Sequence, residues 1–369
     1  MRLESLQLLN FKNYKEVNLK FSPRINVLVG KNGSGKTNLL DAIFFLSSTK
    51  SAFSASDHNC ILHDQSHFMV KGTFQVGSSM HEIASSVQVG AKKIFRVGRS
   101  EYQKLSDHIG KFPVILIAPD DIELVKEGSE ARRKFFDSMI SQLDREYLED
   151  LMHYNHALKQ RNSLLKMAHD RGSIDWIAVE SYDHLLDKYG SSIFEKRKGF
   201  VREFLPVFRK FYQFIVEENE RTDLAYVSEL IGKNFLEGLF QSRQRDLALQ
   251  RTSFGIHRDD YLFTMEEGDI KRLGSQGQQK SFVMSLKLAQ FEILKKHNGV
   301  KPILLLDDIF DKLDDERIAR LLELIKTDLG QLFITDARPD RTRGLLHQIH
   351  AEACFFIVEN GKVKAHEQS

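Results

Sequence analysis

Ile25-Asn-Val-Leu-Val29 runs straight into Gly30-Lys31-Asn32-Gly33-Ser34-Gly35-Lys36-Thr37, after which Leu39, Leu40, Ile43 and Phe44 recur at helical steps. A short, mainly apolar run reads as a buried strand, and the spacing that follows reads as a helix. The segment between them fits the P-loop pattern and lies where that motif must lie. Gly30, Gly33 and Gly35 permit backbone geometries in which successive N–H groups converge on phosphate oxygens, and the helix N-terminus adds its dipole. In such a cradle Lys36 neutralises the outer phosphates of a nucleoside triphosphate, and the Thr37 hydroxyl completes a Mg²⁺ shell. The competing reading, a chance glycine-rich turn, does not account for the strand before it and the helix after it.

Two further strings extend this reading. Ile303-Leu-Leu-Leu306-Asp307-Asp308 places paired carboxylates at the end of a second buried strand, the position of the ligand crevice in an open parallel sheet. Asp307 is the expected metal ligand beside Thr37, and Asp308 the group that orients or deprotonates an attacking water. A helix-capping Asp pair is the alternative. Leu273-Gly-Ser275-Gln276-Gly277-Gln278-Gln279-Lys280 is a polar glycine loop opening a helix. Taken alone it is an ordinary loop-to-helix cap; placed between the P-loop and the Asp pair, it resembles the signature motif of ABC-type ATPases. Leu313-Asp314 then resembles their D-loop.

The 369 residues hold 41% hydrophobic and 28% charged side chains with only 6 prolines, which excludes a disordered or collagen-like chain. Two cysteines, Cys60 and Cys354, build neither a disulfide framework nor a four-cysteine zinc site, and they fit a reducing compartment, so a cytoplasmic location is expected. No signal-peptide pattern and no apolar run of spanning length is read, so no membrane partner is expected. With 53 Lys+Arg against 51 Asp+Glu, bulk charge makes no case for a nucleic-acid partner.

Residues 3–21 read as two antiparallel strands, and residues 68–117 as period-two strands with hairpins at Gly90 and Gly98. After Gly128 the texture turns helical. Phe136 to Leu158 reads as one long helix, a turn follows at Gly172, and a second arm from Trp176 is stopped or kinked at Pro206. From Arg251 strands and helices alternate to a final hairpin at Asn360-Gly361. The expected architecture is an α/β P-loop ATPase head, β-rich at its N-terminal part and split by an α-helical insertion. Its parts are an N-terminal half over 1–128, a helical lobe over 129–250, and a C-terminal half over 251–369.

Asn10-Phe-Lys-Asn-Tyr14, the P-loop, Ala118-Pro-Asp-Asp-Ile-Glu-Leu-Val125, Arg132-Arg-Lys-Phe-Phe-Asp137, Gly255-Ile-His-Arg-Asp-Asp260, Ser275-Gln-Gly-Gln-Gln279 and Leu305-Leu-Asp-Asp-Ile-Phe-Asp311 occur in the order shown by RecF proteins. Over nearly its whole length the chain resembles that family, bacterial recombination mediators with an SMC-like ABC head. The resemblance implies an ATP-dependent homodimer in which Ser275, Gln276 and Gly277 of one subunit close on the γ-phosphate held by Lys36 of the other. It also implies DNA binding at single-strand gaps and work with RecO and RecR in loading RecA. Lys12 matches the basic residue that approaches the nucleotide in related heads; a solvated surface lysine is the other reading.

Two features depart from a transporter-type ABC site. No glutamine loop is evident at 118–122, and Asp336 stands where a switch histidine is expected. With aspartate at 308 in place of the usual glutamate, turnover should be slow. DNA contacts are expected first at Lys92, Lys93, Arg96 and Arg99, with Arg132, Arg133 and Lys134 or Lys196, Arg197, Lys198 and Arg202 as further clusters. Each cluster also reads as a solvated face. Arg258 reads as a brace at the nucleotide or dimer seam, or as part of a plain turn. A metal site at His63 and His67 is rejected for want of further ligands. Another SMC-like DNA-end or gap sensor remains an alternative, and a transporter subunit is disfavoured by the helical lobe between P-loop and signature.

Overall fold

A computed structural model describes every residue except 172, 217–219, 267, 312–314, 327–328 and 369. In chain order the strands and helices begin with β1 (Arg2–Phe11), β2 (Tyr14–Lys20), β3 (Ile25–Val29), α1 (Lys36–Ser48), β4 (His67–Val76), β5 (Ser79–Gln88), β6 (Ile94–Val97), β7 (Ser100–Glu101) and β8 (Val114–Ile117). The helical region holds α2 (Glu123–Lys126), α3 (Ser129–Leu143), α4 (Arg145–Arg171), α5 (Trp176–Val216), β9 (Thr222–Val227) and α6 (Phe235–Leu249). There follow β10 (Asp260–Met265), β11 (Gly268–Asp269), α7 (Ile270–Leu273), α8 (Gln276–Asn298), β12 (Ile303–Leu306), α9 (Asp315–Lys326), β13 (Leu332–Asp336), α10 (Pro339–Gln348), β14 (Ala353–Glu359) and β15 (Lys362–Gln368). The expected turn at Gly172 and the D-loop string Leu313-Asp314 lie outside the described residues.

The chain forms two compact units. The first comprises Met1–Asp121, Phe214–Glu217 and Lys280–Ser369. It holds two six-stranded sheets, ordered β2-β1-β4-β5-β6-β7 and β15-β14-β3-β13-β12-β8. In the second, β14, β3, β13, β12 and β8 are parallel, and only β15 is antiparallel. Strands β3, β8, β12 and β13 are buried at every position, which is why they read as mainly apolar runs, with Asn26 in β3 and Thr335-Asp336 at the end of β13 as the polar exceptions. Helix α1 buries Leu39, Leu40, Ile43, Phe45 and Leu46 in one core with Leu6 and Phe68 of the first sheet and Leu305, Phe333 and Phe356 of the second. That fixes the axis of α1, and with it the direction of the P-loop that opens it.

The second unit comprises Ile122–Gln213 and Glu218–Gln279, so residues 251–279 group with the helical lobe, whereas the sequence reading set them in the C-terminal half of the ATPase. The reason is pairing: β10 joins β9 along six residue pairs, and Arg132 of α3 makes a two-pronged ion pair with Asp260. Its apolar core includes Tyr154, Leu186, Ile193, Phe235 and Phe254. The single helix expected from Phe136 to Leu158 is two, α3 and α4. Asp144 between them is extended (φ −131°, ψ 107°), and its carboxylate accepts the N–H of Tyr147 at 2.9 Å, so it ends one helix and caps the next. Pro206 does not stop α5, which runs on to Val216 over 41 residues, about 60 Å at 1.5 Å per residue.

Each unit holds a histidine pushed toward its neutral form, His108 fully buried and His257 partly so. The His108 ring lies 4.5 Å from that of Phe95 and stacks on Phe112, its Nε2 donates to Leu46 O at 2.7 Å, and burial pushes its pKa down to about 4. His257 donates from Nε2 to Thr252 O and accepts the Tyr154 hydroxyl at Nδ1, and burial lowers it likewise to about 4. Because the folded pKa lies below the unfolded 6.5, the unfolded chain takes up the proton first. Stability present above that value is therefore lost as pH falls toward 4, at up to about 1.4 kcal/mol per pH unit for each histidine. Urea unfolding at a series of pH values between 7.5 and 4 is expected to show this loss, and His257→Gln to flatten it in the second unit. A flat wild-type profile would show that the rings are not held neutral.

Candidate functional site

The C-terminal ends of β3, β13, β12 and β8 align: Val29 pairs with Asp336, Leu306 with Ile334 and with Ile117. This sets the P-loop, Thr335-Asp336 and Asp307-Asp308 along one edge of the parallel sheet, the crevice where such sheets bind ligands.

The loop is braced from outside. The hydroxyl of Tyr14 donates to Gly35 O at 2.9 Å, Asn13 Nδ2 donates to Ser34 O at 3.1 Å, and Asn38 Nδ2 donates to Asn13 Oδ1 at 2.7 Å. From the other end of the chain, Gly361 N–H in the tip of the β14–β15 hairpin also donates to Ser34 O. A Cβ at Gly30 would meet Val358 O at 2.2 Å, so glycine is required there by close approach of backbone. At Gly35 the requirement is conformational, φ 117° at the entrance to α1. Lys31, Asn32 and Gly33 form the exposed tip, while Ser34, Gly35 and Lys36 are buried. The Lys36 ammonium folds over the loop, donating to Gly30 O at 2.8 Å and Lys31 O at 3.2 Å.

Asp307 is 5% exposed and is held from two sides, by the Thr37 hydroxyl at 2.9 Å and the Thr335 hydroxyl at 2.7 Å. Burial raises its pKa above the ordinary aspartate value, against the pull of those two hydrogen bonds. A buried carboxylate whose charged form is penalised in this way, facing a hydroxyl, is a hard-oxygen pair suited to Mg²⁺. Among the described residues no group of three or more His, Cys, Asp or Glu side chains could hold a metal. Asp308 has φ 43°, in the left-handed region that favours glycine, at the position expected to orient water.

Several expected residues have partners that the sequence reading did not anticipate. Lys12 is no solvated surface lysine: its ammonium pairs with Asp41 of α1 at 2.6 Å, with only 12% of the side chain exposed. Asp336 is buried, and its carboxylate accepts the Arg338 N–H and the Thr342 hydroxyl, which ties it to the start of α10. In the region searched for a glutamine loop, Asp121 accepts the Ala118 N–H at 2.7 Å and pairs with Lys287 of α8. Of the hairpin cations, Lys92, Arg96 and Arg99 are exposed. Lys93 is not, being paired with Asp57 at 2.7 Å and seated over the Phe45 ring. Thr335, Asn13 and Tyr14 went unnoticed as site residues.

In the second unit Ser275 caps α8 in a reciprocal box. Its Oγ accepts the Gln278 N–H at 3.2 Å, and Gln278 Oε1 accepts the Ser275 N–H at 2.8 Å. Ser275 and Gln276 are exposed, and Gly277 is half-buried. Capping uses the Ser275 oxygen as an acceptor and leaves the role of its O–H as a donor intact. Helix cap and anion contact, set out as alternatives above, are therefore compatible. Arg133 and Arg197 turn inward, to Asp259 O and to Asp137 with Asp259 respectively, so these members of the lobe clusters do not face solvent phosphates. Arg258 is exposed.

The family model for the RecF/RecN/SMC N-terminal domain matches residues 2–352. A DNA replication and repair protein RecF from Cytophaga hutchinsonii is 46% identical over 365 residues, covering 99% of this chain and 97% of that one. A solved structure of the recombination mediator protein RecF-ATP in the RecFOR pathway superposes with a TM-score of 0.88 at 30% identity, covering 100% and 97% of the two chains. An Smc head domain from Pyrococcus furiosus, at 17% identity and TM-score 0.55 over 99% and 96%, shares the fold alone. With an ABC-type P-loop head split by a helical insertion and this degree of likeness along its whole length, the chain belongs to the RecF family of DNA replication and repair proteins.

Proposed function

We propose that the protein is an ATP-gated clamp on DNA. The single observation that carries the reading is the approach of Thr37 and Asp307 to 2.9 Å at the end of a P-loop whose Lys36 ammonium lies over the loop carbonyls, an arrangement suited to a phosphate-bound cation. Gly30 to Thr37 cradle the phosphates of ATP, Thr37 and Asp307 would hold Mg²⁺, and Asp308 orients the attacking water. The bound ion supplies charge neutralisation for the outer phosphates. Lys36 exchanges the loop carbonyls for phosphate oxygens.

The signature residues Ser275, Gln276 and Gly277 close on the γ-phosphate of a second copy, so that ATP joins two subunits and hydrolysis parts them. Turnover is slow, below about 1 per second, which suits timing more than work. The closed dimer binds DNA, with single-strand gaps as the target, through Lys92, Arg96 and Arg99, since counterion release rewards such exposed cations without sequence-specific geometry. The relative solved with ATP is described as part of the RecFOR pathway, and RecO and RecR are accordingly the proposed partners, with RecA the protein loaded. Lys12 reaches the nucleotide only by leaving Asp41. Two free buried cysteines fit the cytoplasm; among the described residues no helix is long and apolar enough to cross a membrane.

Light scattering with Mg²⁺ and no nucleotide, ADP or ATP, with and without gapped DNA, tests the clamp. The expected result is a dimer with ATP alone among the nucleotides, tighter DNA binding in that state, and loss of both in Lys36→Met and Ser275→Arg. A wild type that stays monomeric with ATP and DNA, or a Ser275→Arg chain that dimerises normally, would overturn it.

A further inference from the structure

Strand β13 lies between the strand that feeds the P-loop and the strand that ends in Asp307-Asp308. Thr335, its penultimate residue, pairs in register with Leu28 and is completely buried. Its one hydroxyl is used in both directions: it donates to Asp307 Oδ1 at 2.7 Å and accepts the N–H of Asp308 at 2.8 Å. The Asp308 N–H sits on the residue with φ 43°, and a backbone in that region persists only when its surroundings hold it. Asp336, beside it, is committed to the start of α10 through Arg338 and Thr342.

We infer that Thr335 is the positioning residue of the hydrolytic centre, aiming the Asp307 carboxylate at Thr37 and holding Asp308 in its left-handed conformation. It thereby links the two acids at the strand end where Asp336 replaces a switch histidine. The inference rests on the hydrolytic reading above. One oxygen can do this because a hydroxyl is both donor and acceptor. Valine has the same shape and neither capacity, so Thr335→Val leaves the Asp307 oxygen short of a donor and the Asp308 N–H without its acceptor. Serine keeps the oxygen and loses only the methyl group.

Three chains, wild type, Thr335→Val and Thr335→Ser, are compared by ATP turnover, ATP affinity and amide hydrogen exchange at Asp308. In Thr335→Val kcat is expected to fall by about tenfold to a hundredfold while the ATP dissociation constant moves by less than about threefold, the pattern of a lost orienting partner. Thr335→Ser restores turnover to within about threefold of wild type. Exchange at Asp308 quickens with valine and not with serine, a readout independent of turnover. Equal turnover and equal Asp308 exchange in all three chains would overturn the inference, as would a serine variant as impaired as valine. If wild type hydrolysed no ATP while valine alone exposed the Asp308 amide, the hydrolytic reading would fall and the positioning role would stand.

Discussion

Replacing Asp308 with asparagine is expected to lower ATP turnover by at least about a hundredfold, the usual worth of a positioned base, while leaving ATP binding and ATP-induced dimerisation in place. The substitution separates charge from conformation. Asp308 sits at φ 43°, where asparagine is as comfortable as aspartate and alanine is not. Asparagine can therefore keep the N–H bond to Thr335 and the chain direction leaving β12. What it cannot do is accept a proton from water or hold water by a full negative charge. A hundredfold loss corresponds to about 2.7 kcal/mol of barrier. Since Lys36, Thr37 and Asp307 are untouched, the ATP-bound dimer should accumulate and DNA should dissociate from it more slowly. Single-turnover hydrolysis beside size measurement in ATP checks both halves. Turnover near wild type would move the role of Asp308 to another group, and loss of dimerisation would show that Asp308 shapes the closed state itself.

The parts of this site that the sequence displayed are those whose chemistry is local in the chain. The P-loop occupies eight consecutive positions, and its flanking strand is apolar at every position but Asn26 because both faces of β3 are covered. Asp307 and Asp308 follow β12 for the same reason. Thr335 carries no such signal: it is one hydroxyl at the end of one strand, and only the order β3-β13-β12, which is not chain order, brings it between the acids and the P-loop. Asn13 and Tyr14 were visible as a family string, but their task of bracing Ser34 and Gly35 depends on a hairpin folding back over α1. For Lys12 the sequence offered an approach to the nucleotide or a solvated surface and not an ion pair, because its partner Asp41 lies in the middle of a helix among mostly apolar buried positions. The break between α3 and α4 was readable in principle. Asp144 with Glu146 after it has the composition of a helix start, but the apolar steps from Ile140 to Tyr147 pass across the break and conceal it.

Arg197 shows most clearly how a charge cluster misleads, and it carries the other large effect expected. In the sequence it stands between Lys196 and Lys198 and looks like one of a basic row. By helical spacing it stands with Ile193, Val201 and Phe204, all buried, on the inner stripe of α5, and it is 1% exposed. Its guanidinium donates to Asp137 at 2.9 and 3.0 Å, to Asp259 at 3.0 Å and to Ile256 O at 2.9 Å. Burial alone would lower its pKa, but the surrounding Tyr147 and Asp137 more than reverse this and hold the charge. Arg197→Leu removes the cation and leaves two carboxylates and a carbonyl facing an apolar side chain. Breaking a buried pair from one side costs about 3–5 kcal/mol, chiefly through the charge left behind. The second unit is therefore expected to melt about 10 °C lower, on a scale of about 2–4 °C per kcal/mol. Amide exchange should quicken first in residues 255–260, where two of the bonds end. Lys198→Leu, one residue on and 43% exposed, is the control and should stay within about 0.5 kcal/mol of wild type. DNA binding separates the two readings of the cluster. If Arg197 served phosphates, the leucine chain would lose affinity at unchanged stability; as a buried cross-link, it loses stability first, and any loss of DNA affinity follows the unfolding of the 255–260 segment.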